Sequence, residues 1–167
     1  MTGRRDIERI YREHGHVVRR RARELLGSES EAGDALHEIF VSLLARPAQL
    51  DGVVKLTAWL YRATTNHCLN QIRSRNGRRR LLGALPQAGE TSPRGEQVVA
   101  VRALLAGLPG SFAEVAVYYY LDEMTQDEIA VLLGCSRRHV GRLLARLQER
   151  VEPESGRARR DPVEGTR

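Results

Sequence analysis

A chain of 167 residues, 41% hydrophobic and 29% charged, is long enough for one ordinary domain or two small helical ones. It is too rich in apolar residues for a low-complexity tail, and no apolar run approaches the ~18 residues that a membrane-spanning helix needs. The formal charge is +6, unevenly placed: net +7 over residues 1 to 82 and net −1 over 83 to 167, so the first half is the candidate surface for a polyanion. All 27 cations are Arg except Lys55; the planar guanidinium fork suits phosphate and guanine edges, although Arg richness also follows from a GC-rich genome.

Apolar residues recur at helical spacing almost throughout, with no sustained alternation, so the expected class is all-α. Ile7, Ile10, Tyr11, His14, Val17, Val18, Ala22 and Leu25 make the first stripe, closed by Gly27. Ser28 and Glu31 fit a capping box for the second helix, whose stripe is Ala32, Ala35, Leu36, Ile39, Phe40, Leu43 and Leu44 before Pro47 stops it. Residues 47 to 55 read as a loop. A third helix follows on Leu56, Leu60 and Ala63 and is expected to reach about Arg75. On it Arg62, Asn66, Leu69 and Arg73, at i, i+4, i+7 and i+11, form a largely polar stripe flanked by Trp59, Tyr61 and the run Arg73, Arg75, Arg78, Arg79, Arg80. Aromatics beside cations suit unstacked bases and a phosphate backbone, but Trp59 fits a core equally well, and an Arg run is usually a solvated face.

Residues 76 to 95 lose periodicity and collect Gly, Pro, Ser and Thr, a linker composition. The expected organisation is therefore a helical domain over 5–76, a flexible linker over 77–95, a second helical domain over 96–151 and a disordered tail over 152–167. In the second domain Val98, Val101, Leu104 and Leu105 restart the pattern, Gly107 to Gly110 breaks it, and Phe112 to Leu121 resumes it. Thr125 and Glu128 form a capping box for a short helix over 126–133; Gly134, Cys135 and Ser136 make a turn, and a helix over 137–151 follows. This is helix-turn-helix grammar. Val140, Leu143, Leu144, Leu147 and Val151 share one face of the last helix, and Arg138, Arg142 and Arg146 cluster opposite. Residues 137 to 150 carry net +4, while 108 to 134 carry net −5. A helix in the DNA major groove needs long donors in its first turns, where Arg can grip guanine bidentately for ~1 to 3 kcal/mol of discrimination. Arg137, Arg138, His139 and Arg142 occupy those turns; the plainer reading is a surface helix with solvated arginines.

The stretches AGDALHEIFVSLLA (32–45), WLYRATTNHCLNQIR (59–73) and GLPGSFAEVAVYYYLDEMTQDEIAVLLGCSRRHVGRLLARL (107–147) resemble, in that order, a bacterial RNA polymerase sigma factor of the small extracytoplasmic-function group. The resemblance runs from about Ile7 to Val151. It implies a region 2 helical bundle and a region 4 helix-turn-helix, with core RNA polymerase (the β′ clamp and the β flap) and promoter DNA as partners. Residue by residue, it implies that Asp34, His37, Glu38 and Val41 dock on polymerase. Trp59, Arg62, Asn66, Leu69 and Arg73 would read and melt the minus-10 element, the 47–55 loop would capture a flipped base, and Ser136, Arg137, Arg138, His139, Arg142 and Arg146 would read the minus-35 element. An anti-sigma partner is common in the group. His37, Asn70 and His139 depart from the family pattern.

An enzyme reading finds little support. His14, His16, His37, His67 and His139 are scattered, and adjacent His67 and Cys68 point ~100° apart on a helix, too far to chelate one ion easily. Cys68 and Cys135 stand alone, without zinc or disulfide spacing. No cofactor, metal, membrane or small-molecule substrate is expected. With no apolar stretch after the first basic residues to serve as a secretory signal, the expected compartment is the cytoplasm. The competing reading is a stand-alone helix-turn-helix regulator that binds DNA without polymerase.

Overall fold

The computed structural model describes residues 4–45, 52–83 and 93–151, with side chains over 6–45, 52, 54–83 and 99–150. Residues 47–51 of the loop expected over 47–55, residues 84–92 of the linker expected over 77–95, and the tail at 152–167 lie outside the described residues. Among the described residues there are seven α-helices, one π-helical turn and no strand, as the apolar periodicity requires. In chain order they are α1 (Arg4–Leu26), α2 (Glu29–Leu44), α3 (Val53–Leu81), α4 (Pro93–Gly107), α5 (Gly110–Ala116) running into the π turn (Val117–Leu121), α6 (Gln126–Leu133) and α7 (Arg137–Val151). They divide into two compact units, Met1–Glu114 and Val115–Arg167, so α4 groups with the first three helices.

The first unit is built on α3, which packs against α1 and α2 and also against α4. Ile10, Val18, Ala22 and Leu25 of α1, Ala32, Ala35, Leu36, Ile39, Phe40 and Leu43 of α2, and Leu56, Leu60, Cys68, Leu69 and Ile72 of α3 are buried. Leu44 and Tyr11 depart from the expected stripes and are exposed; Tyr11 turns its ring edge-on to Phe40 at 4.9 Å. Burial also claims polar groups, each with a partner. Thr64 and Thr65 donate their hydroxyls to the carbonyls of Leu60 (2.6 Å) and Tyr61 (3.0 Å) one turn back, and Arg21 donates to Thr65 Oγ1 while stacking its guanidinium 4.6 Å over Tyr61.

Helix ends explain where the sequence reading held and where it slipped. Ser28 caps α2 by accepting from the Glu31 N–H, but the Glu31 carboxylate pairs with Arg75 of α3 instead of returning to the cap, so only half of the expected box forms. α3 runs past Arg75 to Leu81, with the Leu82 N–H donating to Arg78 O at 3.0 Å; Asn76 and Gly77, which open the stretch of linker composition, lie inside it, and α4 begins at Pro93, before that stretch ends. It also begins at Val53, inside the segment expected to be loop. Between Gly107 and Gly110 the chain breaks as expected, but Val101 and Leu104 of α4 face outward and Leu105 and Leu108 carry the burial. The helix expected over 112–121 widens at its end: Asp122 N–H donates to Val117 O five residues back, and Val117 and Tyr118 are fully buried while Tyr119, Tyr120 and Leu121 are exposed.

Gly27 is needed on two counts. It closes α1 at φ +72, a left-handed conformation that costs other residues strain, and a Cβ there would lie 2.2 Å from the guanidinium of Arg102, which donates from Nε to Leu25 O at 2.9 Å. A cation on the last carbonyls of a helix also complements its dipole. Replacing Gly27 with Ala should therefore lower stability by at least ~1 kcal/mol in denaturant titration, since the strain and the expulsion of Arg102 add. Burial pushes the Cys68 thiol up to about 12, against the opposing pull of Arg21. Iodoacetamide at neutral pH should therefore label Cys135 and spare Cys68 until the chain unfolds, as read by peptide mass spectrometry.

Candidate nucleic-acid interface

In the second unit, α6 and α7 occupy the spans expected of a helix-turn-helix, and hydrogen bonds close both ends of α6 and the start of α7. Thr125 Oγ1 accepts from the Glu128 N–H at 3.3 Å, and a Glu128 carboxylate oxygen accepts from the Thr125 N–H at 2.8 Å, completing the capping box. These bonds from Thr125, first the backbone and then the hydroxyl, hold the Glu128 carboxyl below its ordinary range. At the other end Gly134 adopts φ 64, ψ 36; Cys135 N–H donates to Ala130 O at 3.0 Å and Gly134 N–H to Val131 O at 3.3 Å, a Schellman closure. Ser136 then accepts from the His139 N–H at 3.2 Å and starts α7.

Val140, Leu143, Leu144 and Leu147 are buried with Ile129 and Ala130, which fixes the outward face of α7. Ser136, Arg137, Arg138, His139, Arg142 and Arg146 are all exposed on it. Arg137 is tied back to Asp127 of α6 at 3.6 Å. Arg142 donates to His139 Nδ1 at 3.4 Å; because a guanidinium only donates, that bond requires the Nδ1 lone pair and leaves the His139 proton on Nε2, facing out as a donor. The arrangement presents several long cationic donors and one imidazole donor on one side of a rigid helix, suited to phosphates and base edges in a major groove.

In the first unit the four α2 residues Asp34, His37, Glu38 and Val41 are exposed together, Val41 at 66%, opposite the buried stripe. Leu44, displaced from the core, extends that face as an exposed apolar residue beside Val41. His37 accounts for one of the family departures: its Nδ1 donates to Gly33 O at 2.9 Å, folding the ring onto its own helix. Glu38 lies 3.7 Å from His67 of α3, linking the two helices at the edge of the face.

The α3 stripe is more closed than the sequence suggests. Trp59, Arg62, Asn66 and Arg73 are half-buried, and Leu69 is 1% exposed, so it belongs to the core and does not line an open surface. α3 packs against three helices, α1, α2 and α4, which leaves little of its circumference for a polar strip. Arg73 donates to Asn70 Oδ1 at 2.8 Å, which gives Asn70, another family departure, a positioning role. Two residues went unassigned in the sequence. Arg21 is a buried cation whose signal was only one more Arg in a basic helix. Glu114, 9% exposed, accepts from Arg62 Nε at 3.3 Å and from Asn66 Nδ2 at 3.4 Å. Its signal was a lone carboxylate amid Ala113, Val115 and Ala116, a pattern that implies a buried partner without naming it.

A helical bundle with an acidic and apolar outer face, together with a helix-turn-helix whose second helix is faced with arginine, defines a bipartite helix-turn-helix protein. Residues 10–78 match the Sigma-70 region 2 family, and residues 123–150 match the bacterial regulatory proteins of the crp family. The chain is 30% identical over 152 residues to the ECF RNA polymerase sigma factor SigE of Mycolicibacterium smegmatis, an alignment covering 81% of this chain and 58% of that relative. The region 2 likeness is thus confined to residues 10–78, and the chain spans little more than half the length of the curated relative it matches. Among the described residues no helix is long and apolar enough to cross a membrane, and no group of His, Cys, Asp or Glu could hold a metal ion.

The capping box makes the presentation of α7 depend on pH. A carboxyl whose folded pKa is depressed contributes stability above its unfolded pKa and loses it as pH falls. The difference in thermal midpoint between the wild type and Glu128→Gln should be present at neutral pH and close in acid below the ordinary glutamate range, as followed by circular dichroism.

Proposed function

We propose that this protein is a promoter-specificity factor: it binds core RNA polymerase, delivers it to particular promoters and helps to open them, acting by binding and not by catalysis. The observation that carries this reading is the pairing, on one chain, of a Sigma-70 region 2 match with an arginine-faced helix-turn-helix. In this reading residues 5–76 act as region 2, 77–95 as the connection and 96–151 as region 4, in the cytoplasm where the polymerase works. Asp34, His37, Glu38 and Val41 dock on the β′ clamp, an acidic rim around an apolar centre that suits a basic partner helix. Trp59, Arg62, Asn66 and Arg73 serve the melted minus-10 strand. Ser136, Arg137, Arg138, His139, Arg142 and Arg146 serve the minus-35 duplex, with the β flap supporting that unit.

A stand-alone regulator shares the helix-turn-helix, so the crp-family match over 123–150 does not favour it. The Sigma-70 region 2 match over 10–78 does distinguish them. Purified protein with core polymerase on a genomic promoter library should give specific transcription starts, whereas DNA protection of a palindrome by the protein alone would sink the proposal. Arg142→Ala should lower minus-35 selectivity by ~1 to 3 kcal/mol in competition assays with the holoenzyme while polymerase binding is retained. Reversing charge on the other surface, with Asp34→Arg and Glu38→Arg together, should do the opposite, abolishing capture of core enzyme and sparing the fold.

A further inference from the structure

We propose that Glu114 is an internal competitor for the α3 stripe: its carboxylate occupies Arg62 and Asn66, and single-stranded DNA binds only when the segment from Gly110 to Glu114 withdraws. The proposal rests on the assignment of that stripe to the minus-10 strand. Glu114 accepts from the Nε of Arg62 and the amide of Asn66 through one oxygen, at 3.3 and 3.4 Å. These are the donors a nucleotide would need, a guanidinium for phosphate and an amide for a base edge. Four residues earlier, Gly110 lies where a Cβ would be 3.5 Å from the Arg73 guanidinium. The segment thus approaches the stripe at both Arg62 and Arg73, and Leu69 between them is closed to solvent. The closed arrangement is therefore not the one that takes a base.

A carboxylate and a phosphodiester are both anionic acceptors, so Glu114 neutralises the charge, and holds the Nε–H, that a phosphate on Arg62 would use. A competitor joined through the chain also gives up no translational freedom when it binds, so it prevails over dilute DNA. Affinity for DNA is then reduced by the fraction of chains that are open.

The test uses the full-length protein and a fluorescein-labelled single-stranded DNA of mixed sequence, read by anisotropy. Glu114→Gln, which keeps the shape and removes the charge, and Glu114→Ala should each bind roughly tenfold more tightly than wild type, the gain expected if closed chains outnumber open ones by ~10. Adding Arg62→Ala should erase the gain. Glu24→Gln, which removes one charge from an exposed site, should gain much less. If folded Glu114 variants gain no more than Glu24→Gln while Arg62→Ala alone weakens binding, the competitor is refuted and the strand assignment stands. If Arg62→Ala changes nothing in any background, the strand assignment falls and the competitor falls with it.

Discussion

The fold and the proposed chemistry of the first unit both depend on how one helix divides its circumference. Successive residues of α3 advance by ~100°, so a helix packed against three others has only a narrow strip left for polar work. Leu56, Leu60, Thr64 and Cys68 are spent on the core, and Leu69 and Ile72 join them. What remains is Arg62, Asn66, Asn70 and Arg73. Each long side chain in that strip is positioned by a specific partner: Glu114 for the first two, Asn70 for Arg73. Arg75, two residues further and round the helix from that strip, is held by Glu31, and its pKa is lowered first by burial and then by Arg102, Arg79 and Arg78 crowding beside it. The basic end of α3 is thus under mutual repulsion that an approaching polyanion would relieve.

The second unit solves a different problem, that of aiming a charged helix with very little chain. Eight residues of α6 cannot hold themselves in water, and the capping box, the left-handed Gly134 and the Ser136 cap together satisfy the backbone groups that so short a helix leaves open. The apolar face of α7 then determines its rotation, because Val140, Leu143, Leu144 and Leu147 can be buried in only one orientation. The outward direction of Arg138, Arg142 and Arg146 follows without any contact of their own. Caps fix the start of the helix, and the core fixes its azimuth.

The parts of this molecule governed by local rules were legible in the sequence. Thr125 with Glu128, Gly134 and Ser136 gave the spans of α6 and α7 to the residue, and the α2 stripe left Asp34, His37, Glu38 and Val41 outside, as the structure has them. What failed depended on distant partners. Glu31 satisfies the pattern of a capping box, but an arginine 44 residues away draws off its carboxylate. Leu69 lies on the polar side of α3 by periodicity and is nonetheless 1% exposed, and α3 also packs against α4, a neighbour that no window of sequence reveals. Asn76 and Gly77 have turn chemistry, yet the helix continues through them among arginines that favour it. The π turn at Val117–Leu121 likewise has no clear signal in one chain, since its three tyrosines suit several backbones.

The energetic character of the Glu114 contact suits a closure that can be exchanged. Burying a carboxylate is costly, and the attraction of a paired guanidinium returns roughly that cost and little more, so such pairs define an arrangement more than they stabilise it. Arg62 remains 39% exposed, which weakens the pair further by screening. A contact of that kind has two properties at once. It is specific, because leaving the buried Glu114 carboxylate without its donors is worse than keeping them. It is also cheaply exchanged, because any partner that brings its own anion to Arg62 while Glu114 regains water replaces the bond at almost no net cost. An apolar seal of the same area would be neither: it would close more tightly and accept any greasy surface in exchange. A surface meant to stay covered in the free chain and to open only to an anionic strand is therefore better closed by a carboxylate than by a leucine.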